Sequence, residues 1–510
     1  MGAPLNIVIV GGGTAGWMTA AGLSLACPPQ LATITLIESD DIGTIGVGEA
    51  SIPSIAHFNS LLRIDEREFM AKTRATFKLG IEFVGWGGEG QSYMHPFGSF
   101  GTNFDLAAFH HYWLRLKQMG EGGDILDYNL SAVLSRQGRF APPSPDKNSP
   151  LSSVVYAYHF DAGLYARYLR SYAEARGARR LEGMITQVGQ NSETGYIEGV
   201  TLKDGRVIAG DFFIDCSGFR GLLIEGALKA GFEDWSHLLP CDRAVAVPSE
   251  NPAQLTPYTR ATARKAGWQW RIPLQHRTGN GLVYSSSHMS DDEAAQTLLS
   301  SLEGKALADP RPIRFLTGRR KSAWVKNCAA VGLSAGFLEP LESTSIHLIQ
   351  KGVSKLIQCL PRQATAGGAF APHLMDHFNR ETRHEYEDVR DFLMLHYKAN
   401  ARDGAFWRYC REQDISDRLK ARMDLFRESG RIFTGETELF RDPSWLSVML
   451  GQGIFPQDYD PLADRMTIDD IRQNLAHISR TYLRSAAQAP RHEDFLQQHF
   501  GKPNIATEIV

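Results

Sequence analysis

A glycine-rich turn between two short apolar segments constrains the fold of this chain more than any other feature of its sequence. Residues 6–10 read Asn-Ile-Val-Ile-Val, the glycines of residues 11–16 are spaced Gly-x-Gly-x-x-Gly, and a second apolar segment covers residues 33–37. In this spacing the first glycine permits a tight turn, the second lets the backbone approach a pyrophosphate, and the third lets a helix pack closely on the strand. We therefore predict a strand, a helix over residues 14–26 and a second strand, with a dinucleotide phosphate at the helix N-terminus.

An acidic residue follows the second predicted strand. Glu38 lies 22 residues after the last glycine of the turn, where a carboxylate can accept hydrogen bonds from ribose hydroxyls. No later Gly-x-Gly-x-x-Gly run is expected to follow a strand in this sequence. An enzyme that reduces its own flavin with a nicotinamide through two such modules is therefore disfavoured.

The overall charge and composition exclude several classes of protein. Of the 510 residues, 54 are Lys or Arg and 57 are Asp or Glu, which gives a net charge of −3, and 43% are hydrophobic. Disordered chains have fewer apolar residues and nucleic-acid-binding proteins usually carry a basic excess, so neither class fits. The sequence contains neither the roughly 18 apolar residues of a membrane helix nor the basic start of a signal peptide. It predicts a soluble, cytoplasmic protein with no nucleic-acid or membrane partner.

The cysteines indicate a reducing compartment. They are scattered over six positions: Cys27, Cys216, Cys241, Cys328, Cys359 and Cys410. Their spacing suits neither a disulfide framework nor a zinc site, and the histidines show no metal-binding spacing. We expect free, mostly buried thiols and no metal.

Later segments extend the nucleotide-binding pattern. A predicted strand at residues 211–215 runs into Cys216-Ser217-Gly218, as expected for a second strand beneath a bound dinucleotide. Aromatic segments without nucleotide signals separate the nucleotide-binding pieces. Polar helices with aromatic stripes, such as residues 373–396, follow a loop predicted at residues 361–372. The pattern predicts an α/β body with an inserted layer and a C-terminal helical cap.

Seven further segments carry a specific resemblance. They are Trp268-Gln269-Trp270-Arg271-Ile272-Pro273, Gly46-Val47-Gly48-Glu49-Ala50, Phe77-Lys78-Leu79-Gly80, His95-Pro96-Phe97-Gly98, Phe213-Ile214-Asp215-Cys216-Ser217-Gly218, Phe337-Leu338-Glu339-Pro340-Leu341-Glu342-Ser343-Thr344, and His396-Tyr397 with Phe406-Trp407. Together they resemble the motifs of the flavin-dependent tryptophan halogenases, over about residues 5–460. The resemblance implies an α/β fold with an FAD-binding, Rossmann-like body of the glutathione-reductase and monooxygenase type.

The resemblance also predicts how the chain is divided. FAD-binding parts are expected at residues 1–97, 181–240 and 313–360, the last including a halide-binding strap. A substrate-layer insertion is expected at 98–180, a substrate-layer sheet with the Trp-x-Trp-x-Ile-Pro motif at 241–312, and a mainly helical cap at 361–510.

The reaction implied by the resemblance has two components. A separate NAD(P)H-dependent flavin reductase supplies FADH2, which with O2 converts chloride or bromide into hypohalous acid. The acid travels through an internal tunnel to a small aromatic substrate, where Lys78 presents the halogen and Glu342 accepts the proton that the arene loses. The sequence leaves open whether Lys78 acts by hydrogen bonding or as a haloamine, and which halide is preferred. A homodimer is compatible with the resemblance.

Further site residues are assigned by the same resemblance. The FAD-binding positions are Gly11, Gly13, Thr14, Ala15, Gly16, Glu38, Ser39, Ile45, Val47, Ala50, Val188, Asp215, Leu333 and Ile346. The halide would be held by the backbone N–H groups of Thr344 and Ser345, and the substrate would contact His95, Phe97 and Ser343. The rings of His95 and Phe97 would flank a flat aromatic substrate.

One departure from the family concerns the amino-acid clamp. Family members that act on free tryptophan hold its charged groups with a Tyr-Tyr pair and a later Glu, and this sequence has no Tyr-Tyr. The corresponding stretch is residues 433–453, with Glu438, Phe440 and Trp445, and Ser345 stands where these enzymes usually have glycine. We therefore expect indole, a substituted indole or a larger arene as substrate, with free tryptophan disfavoured.

Plainer interpretations would apply to these residues outside their motifs. An isolated Lys78 would most often be a solvated charge on a helix, and Glu342 a surface or capping carboxylate. Trp268 and Trp270 would be alternating core residues of a strand. Two other functions also remain: a flavin monooxygenase that inserts oxygen, and a non-catalytic binding protein with a flavin fold. The Trp-x-Trp-x-Ile-Pro motif and the pairing of Lys78 with Glu342 disfavour the first, and the intact catalytic residues disfavour the second.

Overall fold

The computed structural model describes residues 4–42, 48–360 and 372–501, and the chain forms two compact units. The first unit contains Met1–Ala75, Phe160–His237 and Arg314–Glu387, and the second contains Thr76–His159, Leu238–Ile313 and Asp388–Val510. Each unit is thus assembled from three separate parts of the chain. The six-segment division from the sequence stays a prediction, and its loop at residues 361–372 lies, except for Pro372, outside the described residues.

The secondary structure of the described residues is mixed. The strands are β1 (Leu5–Val10), β2 (Ala32–Glu38), β3 (Gly48–Ala50), β4 (Thr76–Lys78), β5 (Gly80–Val84), β6 (Ser92–Pro96), β7 (Ala157–Asp161), β8 (Arg179–Glu182), β9 (Ile185–Gln190), β10 (Ile197–Leu202), β11 (Val207–Ala209), β12 (Phe212–Asp215), β13 (Phe232–Asp234), β14 (Arg243–Ser249), β15 (Thr259–Arg264), β16 (Gly267–Pro273), β17 (Thr278–Tyr284), β18 (Arg311–Arg314), β19 (Gly318–Arg320), β20 (Trp324–Val325), β21 (Cys328–Ala330) and β22 (Gly336–Phe337). The helices are α1 (Thr14–Ala26), α2 (Ser54–Leu61), α3 (Glu66–Thr73), α4 (Phe109–Gln118), α5 (Leu130–Arg136), α6 (Ala162–Glu174), α7 (Asp291–Ser300), α8 (Ser345–Cys359), α9 (Pro372–Lys398), α10 (Ala405–Glu412), α11 (Asp417–Ser429), α12 (Asp442–Gly451), α13 (Ile468–Gln488) and α14 (His492–Phe500).

The first unit is built on a largely parallel sheet. Its strand order is β20-β21-β12-β1-β2-β8, and β1 pairs in parallel with both β2 and β12. The apolar side chains of β1 are fully buried at Ile7, Val8 and Ile9, and α1 packs against α6 and α8. Parallel strands linked by helical crossovers form the predicted Rossmann-like body. The predicted helix 14–26 matches α1, and β1 and β2 each extend the predicted strands by one residue at one or both ends.

The second unit contains a mostly antiparallel seven-stranded sheet of order β18-β14-β17-β16-β15-β5-β6. The Trp-x-Trp-x-Ile-Pro motif forms β16, which lies between β15 and β17. Every residue of β16 and β17 is buried, so both faces of these central strands are covered. Trp270 occupies space that only glycine leaves open at Gly281, because an added Cβ there would lie 2.0 Å from the indole ring. The motif therefore forms part of the core of this unit.

A second run with the glycine spacing of the fingerprint, residues 85–90, lies between β5 and β6. It forms a hairpin turn, in which the Gly85 N–H donates to the Gln91 carbonyl (2.7 Å) and Val84 pairs with Ser92. A strand follows this turn, so it offers no helix N-terminus to a phosphate. The expectation that no second run of this spacing follows a strand is therefore wrong, because residues 85–90 directly follow β5, although they form a hairpin and not a nucleotide loop.

Three expectations about the rest of the chain can be compared with the structure. All six cysteines are free and buried, as predicted. The helix expected at residues 373–396 is α9. None of the helices in the described ranges is long and apolar enough to cross a membrane.

Candidate active site

The glycine turn of the first unit is shaped for an anion. Gly11 has φ +109°, and an added Cβ would lie 2.3 Å from the Cys216 carbonyl oxygen, so this position requires glycine. At Gly16 an added Cβ would lie 1.8 Å from the Gly11 carbonyl oxygen. At Gly13, by contrast, it would meet no described atom within 4 Å. Gly13 is the N-cap of α1 and supplies no capping side chain, so the first N–H groups of the helix and the open space beside them fit a pyrophosphate.

Two more predicted cofactor positions lie beside the start of α1. Gly332 has φ +75°, and its added Cβ would lie 2.7 Å from the Ala15 side chain. The short 3-10 turn Gly332–Ser334, which contains Leu333, therefore contacts the first turn of α1, where Thr14 and Ala15 lie. The neighbours of Leu333 and Thr14 in the chain, Gly332 and Ala15, are thus in close contact.

Glu38 ends β2 and turns its carboxylate toward the glycine turn. An added Cβ at Gly12 would lie 1.5 Å from Glu38 Oε2. Arg180 binds Glu38 Oε1, and a guanidinium nitrogen of Arg170 lies 3.9 Å from the same oxygen. The carboxylate thus lies beside the glycine turn, with its charge balanced by two arginines that the sequence did not identify, and its ribose contact stays a prediction. Neither arginine belongs to a recognised motif, so no sequence signal identified either one as a partner of Glu38.

Asp215 ends β12, and its carboxylate organises the turn that follows. One oxygen accepts hydrogen bonds from the Ser217 N–H (2.9 Å) and hydroxyl (2.6 Å), and the other accepts from the Leu223 and Ile224 N–H groups (2.7 and 2.8 Å). This fully buried side chain therefore shapes the turn next to Gly11. Any contact with a cofactor would have to share these oxygens.

The remaining cofactor positions are dispersed over the first unit. Val188 lies on β9, opposite Val200 in the small sheet β11-β10-β9. Ser39 follows β2 and donates to Glu182 (3.4 Å), Ala50 is buried on β3, and Ile346 is buried in α8. Ile45 and Val47 lie outside the described residues.

The strap at residues 343–345 joins a 3-10 turn to α8. Glu342 ends the turn Pro340–Glu342 and is buried. Ser343 has φ +59° and ψ +37°, a left-handed conformation that costs a non-glycine residue about 1–3 kcal/mol. This conformation turns the chain directly into α8, which begins at Ser345 with Thr344 as N-cap. The strap therefore places its backbone at the positive end of a 15-residue helix.

Thr344 has the features of an anion-site residue. It is fully buried and its hydroxyl has no hydrogen-bond partner within the described part of the chain. Its side chain also makes no capping bond to α8. Since the first N–H groups of a helix have no intrahelical acceptor, the strap offers donors and a positive dipole, which suit a halide ion.

A histidine network fixes the first turn of α8. His347 Nδ1 lies 2.9 Å from the Ser54 hydroxyl, which donates to Gln350 Oε1 (3.0 Å). Because the hydroxyl proton goes to Gln350, His347 Nδ1 donates to Ser54. Burial and the charges of Lys351 and Lys355 lower the pKa of His347 to about 3. The imidazole is therefore neutral and anchors α8 to α2.

Lys78 ends the three-residue strand β4 in the second unit, and its side chain is fully buried. The interpretation as a solvated helix charge is therefore wrong. β4 pairs antiparallel with β7, so that Thr76, Phe77 and Lys78 lie opposite His159, Tyr158 and Ala157. The Lys78 Nζ lies 5.4 Å from the centre of the Phe97 ring, within the range of a cation–π interaction. Burying an ammonium in this way is costly, which is typical of a functional group.

Phe97 and His95 lie at the end of β6 near a group of aromatic rings. The Phe97 N–H donates to the Leu79 carbonyl (2.8 Å), which fixes Phe97 beside the Lys78 segment. The His95 ring lies 5.7 Å from Phe392 and 6.3 Å from Phe440 between ring centres. Phe440 stacks on Phe392 at 3.8 Å. These rings form an apolar wall next to the predicted substrate residues.

Glu438 belongs to the stretch predicted to replace the amino-acid clamp, and its carboxylate is already bound. Both of its oxygens accept hydrogen bonds from Arg422 (2.9 Å each), and the Gly435 N–H adds a third (2.9 Å). Although burial raises the pKa of Glu438, the Arg422 hydrogen bonds hold it below its usual value. The Arg422 guanidinium also lies 4.2 Å from the Trp445 ring centre. Glu438 is thus a charged, fully engaged partner of Arg422.

No group of His, Cys, Asp or Glu side chains in the described ranges could hold a metal ion.

Comparisons with known proteins agree with this geometry. A profile of the family described as tryptophan halogenase matches residues 6–468. Tryptophan 6-halogenase SttH of Streptomyces toxytricini is 35% identical over 477 residues, which cover 88% of this chain and 90% of that protein. Among solved structures, Xcc4156, a flavin-dependent halogenase from Xanthomonas campestris, has 47% identity and a TM-score of 0.94, and covers 98% of this chain and 99% of its own. BrvH, a flavin-dependent halogenase from Brevundimonas sp. BAL3, has 46% identity and a TM-score of 0.92, with 97% and 99% covered. The chain therefore belongs to the tryptophan halogenase family and is a flavin-dependent halogenase.

Proposed function

We propose that this enzyme halogenates indole or a related electron-rich arene through Lys78, using hypohalous acid made from chloride or bromide. The observation that carries the proposal is the complete burial of the Lys78 ammonium, beside the Phe97 ring. A charged group taken out of water at a cost to stability is expected where it has a chemical task.

The flavin is held by the first unit in this proposal. The N-terminus of α1 and the open space at Gly13 take the pyrophosphate, and Glu38 takes a ribose. Bound reduced FAD, together with O2, supplies the oxidising power that turns halide into hypohalous acid. Only one fingerprint within the described residues opens a helix, which supports a separate NAD(P)H-dependent reductase as the source of FADH2.

Two of the three fingerprint glycines, Gly13 and Gly16, allow binding to be separated from folding. We expect Gly13→Ala to fold normally, because its Cβ meets no described atom within 4 Å, but to bind FAD about tenfold or more weakly, since the Cβ fills the phosphate space. Gly16→Ala should instead lower the melting temperature of the FAD-free protein, because its Cβ would lie 1.8 Å from a backbone oxygen. Fluorescence titration with FAD and thermal unfolding measure the two effects. Wild-type FAD affinity in Gly13→Ala would show that the pyrophosphate does not bind at this position.

The halide is bound by the strap. Backbone N–H groups of Thr344 and Ser345 lie at the N-terminus of α8, where the helix dipole favours an anion. The buried Thr344 hydroxyl, which has no hydrogen-bond partner among the residues that the structure describes, supports this assignment by offering a further donor.

Lys78 and Glu342 divide the substitution step between them. Lys78 polarises hypohalous acid by hydrogen bonding from its ammonium, or carries the halogen as a haloamine. In the first case the arene forms its carbon–halogen bond as the halogen–oxygen bond breaks, and the leaving oxygen takes a proton from the ammonium and departs as water. In the second case water leaves when the haloamine forms, the halogen–nitrogen bond breaks as the carbon–halogen bond forms, and the lysine nitrogen is reprotonated. The buried carboxylate of Glu342 accepts the proton when the carbon–hydrogen bond breaks and aromaticity returns. In the net reaction, the arene and hypohalous acid are converted into the halogenated arene and water.

The substrate is predicted to lack amino-acid charges. His95 and Phe97 supply flat faces, and Ser343 a polar contact, but the clamp has no counterpart in the sequence because Tyr-Tyr is absent. Both oxygens of Glu438 are already bound by Arg422, whose positive charge balances the carboxylate and disfavours a second cation there. Tryptophan would thus lose hydration at both charged groups without compensation, whereas indole would not.

A competition experiment tests this substrate assignment. Equimolar indole and L-tryptophan are supplied with FAD, a reductase, NADH, O2 and bromide, and products are resolved by chromatography and NMR. We expect indole bromination at C3, its most nucleophilic carbon, to exceed tryptophan bromination by about tenfold or more, given the cost of unpaired polar groups. 3-Methylindole is the matched control, because its C3 is blocked as in tryptophan but it carries no charge. A single dominant bromotryptophan would show that other residues replace the clamp.

A further inference from the structure

The strand that carries Lys78 is bonded on its outer side by a side chain and a loop. Within the described residues β4 pairs with β7 on one side only. On the other side the Leu79 N–H donates to the Pro257 carbonyl (2.7 Å). The Phe77 N–H donates to Nε2 of His492 (3.2 Å). Two N–H groups on this edge are therefore held. That of Leu79, in the peptide group that follows Lys78, is held by a carbonyl, and that of Phe77, the residue before Lys78, by an imidazole.

His492 also contacts the loop that holds the Leu79 N–H. Its Nδ1 lies 3.0 Å from the Leu255 carbonyl oxygen. A carbonyl oxygen only accepts, so Nδ1 carries the proton and Nε2 is left to accept from Phe77. Burial lowers the pKa of His492 to about 4, so the ring is neutral at physiological pH as this arrangement requires. The imidazole thus bridges β4 and the loop at residues 255–257.

The Thr76 side chain of β4 is held by residues other than His492. The Thr76 hydroxyl donates to the Pro273 carbonyl (2.6 Å), so it accepts from Nδ1 of His159 (3.0 Å). Nε2 of His159 then accepts from the Thr259 hydroxyl (2.9 Å). Thr76 therefore does not depend on His492, and loss of the His492 contact would affect the outer edge of β4 selectively.

The helix that begins at His492 also packs behind the strand. His492 is fully buried, and the Phe495 ring lies 5.6 Å from Phe77 and 5.2 Å from Phe140 between ring centres. Phe77 and Phe140 stack at 3.9 Å. Helix α14 thus combines a packing contact, through Phe495, with a directional contact, through His492.

We propose that His492 is a positioning residue for Lys78, so that α14 sets the direction in which the lysine delivers the halogen. The inference rests on the proposed role of Lys78. Without an acceptor the buried Phe77 N–H is left unpaired, so the Thr76–Phe77 peptide group can rotate or shift and displace the next residue, Lys78. A displacement of about 1 Å at a reacting group can cost about 100-fold in rate. Hypohalous acid would still form but would escape before transfer.

The test separates transfer from oxidant formation. Bromoindole and hypobromous acid released to a dimedone trap are measured in one reaction of the flavin-loaded, full-length enzyme with indole in excess. The ratio of bromoindole to total oxidised bromide reports transfer, and the total reports oxidant formation. His492→Leu removes both hydrogen bonds, His492→Gln keeps an acceptor oxygen near the Nε2 position, and Phe495→Leu alters only packing.

We expect His492→Leu to lower the transfer ratio by about tenfold or more, as misplacement of a reacting group predicts, with the total unchanged. His492→Gln should recover most of the ratio. Phe495→Leu should lower the melting temperature and leave the ratio unchanged. A wild-type ratio in His492→Leu, a total that falls in step with product, or a failure of His492→Gln to recover the ratio would each overturn the proposal.

Lys78→Ala in the same assay distinguishes failure of the proposed function from failure of the positioning role of His492. If Lys78→Ala transfers normally, the proposed function fails. If Lys78→Ala loses transfer while His492→Leu keeps it, only the positioning role fails.

Discussion

Replacing Lys78 with alanine will reduce bromoindole formation by more than about 100-fold, the range expected when a group that acts on the reacting atoms is removed. The reason is that the ammonium is fully buried beside the Phe97 ring, so a neighbouring surface lysine has no route to replace it. FAD binding should stay unchanged, because Lys78 belongs to the second unit and the nucleotide turn to the first. Chromatographic quantification of bromoindole under saturating indole and bromide measures the effect.

Two control variants separate chemistry from packing in this experiment. Lys78→Met keeps most of the buried volume without the charge, and should lose product as fully as Lys78→Ala. Lys420→Ala removes an exposed lysine, whose side chain is 67% accessible, and should retain wild-type activity. Product at a tenth of the wild-type level or more in Lys78→Ala would show that the assigned role is wrong.

Glu342→Gln is expected to slow halogenation by about 100-fold to 10,000-fold, the usual contribution of a positioned general base. Glutamine has nearly the shape of glutamate but cannot take up the arene proton. Since Glu342 is buried and ends a short 3-10 turn, the amide should preserve packing and FAD binding. The rate is measured at saturating indole, beside Glu436→Gln as an exposed acidic control.

An isotope effect identifies the affected step. With indole deuterated at C3, Glu342→Gln should show a larger rate ratio of hydrogen to deuterium than the wild-type enzyme, because breaking the carbon–hydrogen bond has become slower. A rate within threefold of wild type, or an unchanged isotope effect, would contradict the assignment of Glu342 as the proton acceptor.

Local sequence rules predicted the nucleotide-binding part of the fold well. The glycine spacing at residues 11–16 reflects close backbone contacts, and the structure shows these at Gly11 and Gly16. The boundaries of α1 followed because helix start and glycine turn are adjacent in sequence. Residues 85–90 show the limit of the rule, since the same spacing there forms a hairpin. Spacing is informative only together with the element that follows it.

The burial of strand β16 and of Lys78 was harder to predict from the sequence. Alternation of Trp268 and Trp270 suggested one buried face, but β16 lies inside a seven-stranded sheet and is buried on both. Nothing in the residues next to Lys78 signalled its complete burial, because that depends on the elements packed around β4. Family motifs identified Lys78 and Glu342, and the structure adds their environments.

Contacts between distant residues could not be predicted at all. The hydrogen bond from Phe77 to His492 joins positions 415 residues apart, and no local pattern marks either partner. The pairing of Glu438 with Arg422 is closer in sequence, but a carboxylate 16 residues from an arginine is not unusual. Such partners decide which groups are free to act, and they become visible only in the folded chain.

Oxidant formation and halogen transfer are separate steps in the proposed reaction, and Lys78 acts only in the transfer. The most direct measurement is the sum of bromoindole and trapped hypobromous acid, per NADH consumed through the reductase, in the wild-type enzyme and in Lys78→Ala. We expect the sum to be equal in the two enzymes. It should consist almost entirely of bromoindole in the wild-type enzyme and almost entirely of trapped hypobromous acid in Lys78→Ala. A sum that falls together with bromoindole, or an indole product heavier by one oxygen atom with no bromine, would contradict this expectation.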